Sequence, residues 1–291
     1  VSILIFRSTP LVVIFSLLLM NIGIAQDTGI DSSSSFFSKR HISVAAVATV
    51  PVITLADSYY MWWKDDYRKF SFLNHSQLGD WLDEPGSLGI DKIGHLYTSF
   101  FFYQTNKNIL LWGGHSRETS ILTSASISAG LALLIEVGDG FSQYGFDYQD
   151  LVFNFAGLGF GVLQDYHSTL QKYQIKWSYI PSDALTFPPK FTEHYDGHIY
   201  WLAIDITGFA QHPTYQAITG IVQPALGFSV GGLATRRECV IGLDWKIDSF
   251  FGDENDLSGL LGKTLRMIHL PAPGVKFSTG QKPEWRILLF N

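Results

Sequence analysis

Long apolar runs with acidic fragments at their ends dominate the middle of the chain. Asp91-Lys92-Ile93-Gly94-His95 opens one run, Glu136-Val137-Gly138-Asp139-Gly140 closes the next, and Asp150-Leu151-Val152-Phe153-Asn154 opens a third. The runs predict three helices, roughly Lys92 to Trp112, Glu118 to Gly138 and Gln149 to Tyr166, joined by short glycine-containing links. Links that short favour antiparallel neighbours, so an up-down-up arrangement would gather the three acidic fragments at one end of a bundle. The faces agree with close packing. Ser120, Ser124 and Ser128 recur at every fourth position, and Asp150, Asn154, Gly157 and Gly161 share one stripe; small residues at that spacing let helices approach.

Before these runs, Ile42 to Ala56 is apolar, interrupted by Pro51, and exits through Tyr59-Tyr60-Met61-Trp62-Trp63-Lys64, an aromatic stretch suited to a membrane interface or to a buried helix with an amphipathic end. Beyond Tyr173 the pattern changes. Pro181, Pro188 and Pro189 punctuate a linker, then strand-like runs occur at Ile199 to Phe209 and Cys239 to Ile247, with Gly227 to Gly232 read as a turn or close backbone approach and Trp285 to Phe290 as a terminal strand. Leu243, Trp245 and Ile247 alternate with Asp244, Lys246 and Asp248, as in a half-exposed strand. The expected architecture is mainly α: a membrane-associated antiparallel helical bundle with a smaller C-terminal β-containing region. Its expected divisions are a signal peptide at 1–25, a flexible linker at 26–40, the bundle with its acidic cluster at 41–173, and the β-containing region at 174–291.

Composition sharpens the membrane reading. The 291 residues are 46% hydrophobic and 16% charged, apolar-rich and charge-poor for a soluble protein. A net charge of -6, with no basic stripe, excludes nucleic acid as a partner class. Arg7 ahead of the apolar stretch Leu11 to Met20, followed by Gly23-Ile24-Ala25, predicts export with cleavage after Ala25. Cys239 is the single cysteine, which excludes an internal disulfide and a lipid-modified cysteine just after that cleavage site, and reads as an inert buried thiol.

The chemistry converges on the acidic ends. Asp91 and His95 are four residues apart, as are Asp150 and Asn154, while Glu136 and Asp139 are three apart, so each pair shares a helix face. The candidate polar cluster is Asp91, Lys92, His95, Glu136, Asp139, Asp150 and Asn154. Two uses are open: a hydrogen-bonded network that fixes helix register, with Lys92 as counter-charge, or a site for a divalent metal such as Zn, Mn or Mg with Asp91, His95, Glu136, Asp139 and Asp150 as ligand candidates. The spacing is neither that of zinc proteases nor that of di-iron bundles. His194-Tyr195-Asp196-Gly197-His198 suits a turn better than a ligand set, and Ser142 reads as a surface loop serine.

At these same residues the chain resembles the YfiM-like family of exported lipoproteins of unknown function. The likeness rests on Trp63-Lys64-Asp65, Asp91 to His95, Glu136 to Ser142, Asp150 to Gly157, Tyr200-Trp201-Leu202 and Ile268 to Pro273. The helical part is also distantly similar to VanZ-like membrane proteins. These resemblances imply an exported protein of the cell envelope, membrane-associated or periplasmic, whose partners are membrane lipids or other envelope components. The function expected is structural or ligand-binding; the alternative is a metal-dependent hydrolase acting on an envelope lipid or cell-wall precursor.

Overall fold

The computed structural model describes residues 38–75, 81–181, 191–209, 212–252 and 256–289. The signal peptide expected at 1–25 and most of the linker expected at 26–40 lie outside these residues. Helix α1 (Lys39–Ser58) starts where Ser38 accepts a hydrogen bond from the His41 N–H, and it runs on into a π-helical turn, Tyr59–Trp63. Helix α2 (Ile90–Trp112) is followed by α3 (Arg117–Gly140), capped by Ser116, and α4 (Tyr148–Tyr166), capped by Asp147.

Helix α2 is the central element, packed by α1, α3 and α4 and by the first strands of the sheet. Its pairing with α4 is parallel: Lys92 meets Asp150, Ser99 meets Asn154, and Gln104 meets Gln164 in ascending order. The approach is close because Gly157 faces α2, where an added Cβ would lie 1.9 Å from the Leu96 carbonyl oxygen. Glycine inside a helix costs about 1 kcal/mol relative to alanine, and here the contact between backbones offsets that cost. In both α3 and α4 the polar and small residues point inward. Ser120, Ser124, Ser128 and Glu136 are buried on α3, and Gln149, Asp150, Asn154 and Gln164 on α4, while Leu122, Leu134, Phe155 and Leu163 are exposed.

The C-terminal half corrects the expected fold class. Strands β1 (Tyr173–Tyr179), β2 (His198–Ile204), β3 (Val222–Gly231), β4 (Arg236–Trp245), β5 (Gly274–Ser278) and β6 (Glu284–Arg286) form one antiparallel sheet in sequential order. With about 54% helix and 19% strand, the chain is mixed α/β and not mainly a helical bundle. Two short helices, α5 (Pro213–Thr219) and α6 (Leu257–Leu265), lie in the connections, α6 against α2.

The differences have physical causes. Gly227 is not a turn: it sits in mid-strand, where Ile199 and Trp201 would come within 2.9 Å of an added Cβ, so the missing side chain makes room for the Trp201 ring. The actual turn follows at Gly232, Leu233 and Ala234, all with positive φ. Strand β1 starts at the expected end of the bundle and occupies residues for which no strand was expected. The terminal strand is only Glu284–Arg286, and beyond it Leu289 donates its N–H to the Ala272 carbonyl. Cys239 is exposed, not buried.

Close helix contact gives a paired prediction. Gly157→Ala should lower unfolding free energy by about 1–3 kcal/mol through overpacking, whereas Gly159→Ala, with nothing within 4 Å of the added Cβ, should raise it by up to about 1 kcal/mol. Chemical denaturation followed by circular dichroism measures both. Equal effects at the two sites would contradict the packing described.

Candidate functional site

The site begins with one sequestered cation. Lys92, in the first turn of α2, is 1% exposed, and its Nζ lies 2.7 Å from both Asp147 Oδ2 and Asp150 Oδ1, 3.3 Å from Glu84 Oε2 and 3.5 Å from Asp91 Oδ2. Asp150 is close enough to pair as a charge, but its Oδ1 lacks a well-aligned hydrogen bond. Asp147 has three tasks at once: it binds Lys92, caps α4 by accepting the Gln149 N–H, and contacts His75 Nε2 at 2.9 Å.

His95 lies one turn along α2. Its Nε2 faces Asp150 Oδ2 at 3.5 Å and Asp91 Oδ1 at 3.8 Å, and its Nδ1 faces Glu136 Oε1 at 3.6 Å. Asn154 connects the three helices here: its Oδ1 accepts from Ser99, while its Nδ2 is 3.3 Å from Glu136 Oε1 and 3.2 Å from His95 Nδ1. The geometry thus brings Asp91, Lys92, His95, Glu136, Asp150 and Asn154 together at one end of the bundle. Asp139 stands one turn further on and binds Trp63 Nε1 at 2.8 Å. That contact depends on Gly138, where an added Cβ would come within 2.2 Å of the Trp63 ring.

Several residues of this region were not expected at the cluster from the sequence. Glu84 and Asp147 reach Lys92 from loops, and Tyr195 donates to Asp91 Oδ1 at 3.2 Å. The segment holding Tyr195 is fastened over the site, since Glu193 accepts from both Trp62 Nε1 and Tyr144 Oη. Its neighbours have other partners. Asp196 accepts the N–H groups of Leu233 and Ala234 in the β3–β4 turn, His194 Nδ1 contacts Tyr179 Oη at 3.0 Å, and His198 Nδ1 accepts from Trp177. Ser142 is buried, not a surface serine, and donates to the Asp139 carbonyl.

The electrostatics follow from crowding carboxylates around few cations. Burial alone would lower the Lys92 pKa, but the charges of Asp91 and Asp150 and the hydrogen bond that Lys92 donates to Asp147 raise it well above its ordinary value. His95 behaves likewise: burial opposes its charge, yet Asp150, Asp91 and Glu136 push its pKa up to about 9. Burial raises the Asp150 carboxyl to about 7, helped by Asp91 and Asp147 and opposed by His95 and Lys92. Asp147, although partly buried, is held below its usual range by Lys92.

A small ion would fit the donor set. One ligand atom each from Asp91, His95 and Asp150 lies within 4.8 Å of the others, the only such group of three among the described residues. A metal at His95 Nε2 would leave Nδ1 beside Asn154 Nδ2 and Glu136 Oε1, at 3.2 and 3.6 Å, neighbours of the kind that orient a metal-bound imidazole.

Residues 79–166 match the model of a family described as predicted periplasmic lipoprotein (DUF2279). No curated protein and no solved structure matches the chain. The matched segment contains every residue of the cluster from Glu84 to Asn154. The protein is exported and belongs to the cell envelope, membrane-associated or periplasmic.

The charge pattern gives a pH prediction. A group whose pKa is raised on folding adds stability that is present below its unfolded value and lost as pH climbs through its folded value. For His95 that loss runs from 6.5 to about 9, and for Asp150 from 3.8 to about 7. Both act in the same direction. The melting temperature should therefore fall as pH rises towards 9, and the fall should shrink in a His95→Gln/Asp150→Asn double variant. A flat wild-type profile in metal-free buffer would contradict this electrostatic account.

Proposed function

We propose that this envelope protein is a ligand-binding component whose cluster of Asp91, His95 and Asp150 takes up a divalent cation. The observation that carries the reading is the convergence of those three donors within 4.8 Å. It is supported by charge: Glu84, Asp91, Asp147 and Asp150 all lie within 3.5 Å of Lys92, and Asp150 Oδ2 lies 3.5 Å from His95. A divalent ion would replace the proton on His95 Nε2 and bring positive charge to the Asp150 carboxyl, whose pKa is kept high mainly by burial. Manganese, magnesium and zinc all accept carboxylate and imidazole ligands, so the donor set favours oxygen-preferring divalent ions without selecting one.

Membrane lipids are the partner we propose. Helix α1 with its following turn (Lys39–Trp63) and α3 (Arg117–Gly140) are long and apolar enough to cross a membrane, and α4 exposes Val152, Phe155 and Leu163. Basic residues do not sort between the two ends of the bundle, so the proposal is lipid contact along these faces and specifies no crossings. The narrower likeness to YfiM-like and VanZ-like proteins belongs to the same proposal, through Asp91 to His95 and Glu136 to Gly157.

A second reading is a metal-dependent hydrolase acting on an envelope lipid or cell-wall precursor. It is favoured by the three-donor count, which would leave a coordination position open for water, with Glu136 close by as a proton acceptor.

Titrating Mn²⁺ into the purified metal-free protein, with binding read by calorimetry, tests the proposal. Stoichiometric binding is expected, weakened about tenfold or more in Asp150→Asn and His95→Gln. Absence of binding in a folded wild type, with stability lost in Glu136→Ala, would instead assign the cluster to holding the helices in register.

A further inference from the structure

In an antiparallel sheet wetted on one face, apolar side chains face the core and polar ones face water. The sheet here departs from that rule: its inner face holds an apolar cluster of Ile199, Trp201, Ala203, Ala225 and Val240 but buries charge as well, and its other face exposes apolar side chains. Along β4, Glu238, Val240 and Asp244 are buried, while Cys239, Ile241 and Leu243 are exposed, Ile241 by 53%. Register carries the pattern sideways. Leu202 on β2, Leu226 on β3 and Ile241 on β4 are paired neighbours, and all three are exposed.

The inner side pairs its buried charges, although Gln223 Oε1 and Asp244 Oδ1 have no hydrogen-bond partner. Lys176 Nζ and Asp244 Oδ2 are 2.6 Å apart with neither side chain exposed, and Gln223 donates to the same carboxylate oxygen at 2.7 Å. Ala203, Ala225 and Gly242 are paired across β2, β3 and β4 on this face, and such small residues let a sheet curl around its interior. The 267–269 segment covers the far edge: Trp177 of β1 pairs with Ile268, and His269 stacks on Trp201 with ring centroids 3.8 Å apart. Burying a charged pair while leaving leucines outside is costly in water. In lipid it is the favoured arrangement, because apolar positions face the acyl chains and polar ones face inward.

Helix α2 covers one part of the outer face, where Tyr97 packs on Trp177 and Tyr200. We infer that the rest of that face, centred on Leu226, Ile241 and Leu243, is a lipid-contact surface whose occupant is the acyl region of a bilayer. Three observations favour lipid over a second copy of the chain. The inversion is shared with helix α4, which buries Asn154 and Gln164 and exposes Phe155 and Leu163; an apolar solvent explains it in both places, whereas one docked protein explains only one. The outward positions of β4 from Cys239 to Trp245 carry no charged side chain with which a polar interface rim could be built. Arg237, at the end of that row, is already paired with Asp83 at 2.6 Å. The inference rests on the membrane association proposed above and extends it from the helices to the sheet.

The chain's single cysteine makes the test direct. A nitroxide attached to Cys239 reports from the outer face without any substitution, in the full-length protein reconstituted into vesicles of phosphatidylethanolamine and phosphatidylglycerol. Two further reporters use a Cys239→Ser background with either Leu243→Cys on the sheet or Phe155→Cys on α4. Collisions with oxygen, which partitions into lipid, are compared with collisions with a water-soluble nickel chelate. Oxygen should exceed the chelate severalfold at Cys239 and Leu243→Cys. Greater access for the chelate there, with lipid access kept at Phe155→Cys, overturns the inference and leaves the helical reading standing. Water access at all three overturns both. Shielding of Leu243→Cys from both reagents assigns the face to a second copy or another protein and also overturns the inference.

Discussion

Burial of the Lys92 ammonium is the constraint on which the helical half depends. Removing a charge from water costs several kcal/mol unless partners replace the lost hydration, and Lys92 is 1% exposed. Its partners come from four places: Glu84 in the entry loop, Asp91 beside it on α2, Asp147 at the cap of α4 and Asp150 in the first turn of α4. Satisfying the lysine therefore fixes the parallel register of α2 and α4, draws residues 81–90 over the bundle end, and places Asp150 beside His95. Gly157 permits the closeness that this register demands.

The same arrangement leaves the neighbouring ring short of positive charge. Carboxylates that satisfy Lys92 also surround His95, which keeps its proton to well above neutrality, while Asp150 gives up its own reluctantly. A structural demand, the neutralisation of one buried lysine, thereby creates an adjacent place where either a proton or a divalent cation is stabilised. The segment carrying Glu193 and Tyr195 lies over this place and ties it to Trp62, Tyr144 and the β3–β4 turn. The sheet repeats the theme, with Lys176 and Asp244 paired inside and leucines outside. This apolar exterior is the observation on which the proposed lipid contact rests.

Helical periodicity made part of this legible. Three- and four-residue spacings identified Asp91 with His95, Glu136 with Asp139 and Asp150 with Asn154, because local geometry determines which side chains share a helix face. Contacts made through tertiary structure carry no such periodicity. Glu84 beside Pro85-Gly86, Asp147 among loop residues and Tyr195 in a short 3-10 turn reach the site only after the chain has folded around Lys92. The sheet was under-read for a different reason. Gly227 resembled a turn because its role is to admit Trp201, and β1 lay unrecognised beside Pro181 although Gln174, Lys176 and Ser178 alternate with Tyr173, Ile175, Trp177 and Tyr179. Asp244 and Lys246, taken as the wet side of a strand, are on its buried side.

The most direct test of the account is the unfolding free energy of Lys92→Met set against that of Lys92→Met/Asp147→Asn/Asp150→Asn. Removing the lysine alone strands buried carboxylates and should cost about 3–5 kcal/mol. Neutralising its two closest partners in the same chain should restore a large share of that loss, since the repulsion has gone with the charges. Wild-type stability in Lys92→Met, or a triple variant less stable than the single one by the sum of its parts, would contradict the claim that Lys92 holds the bundle end together.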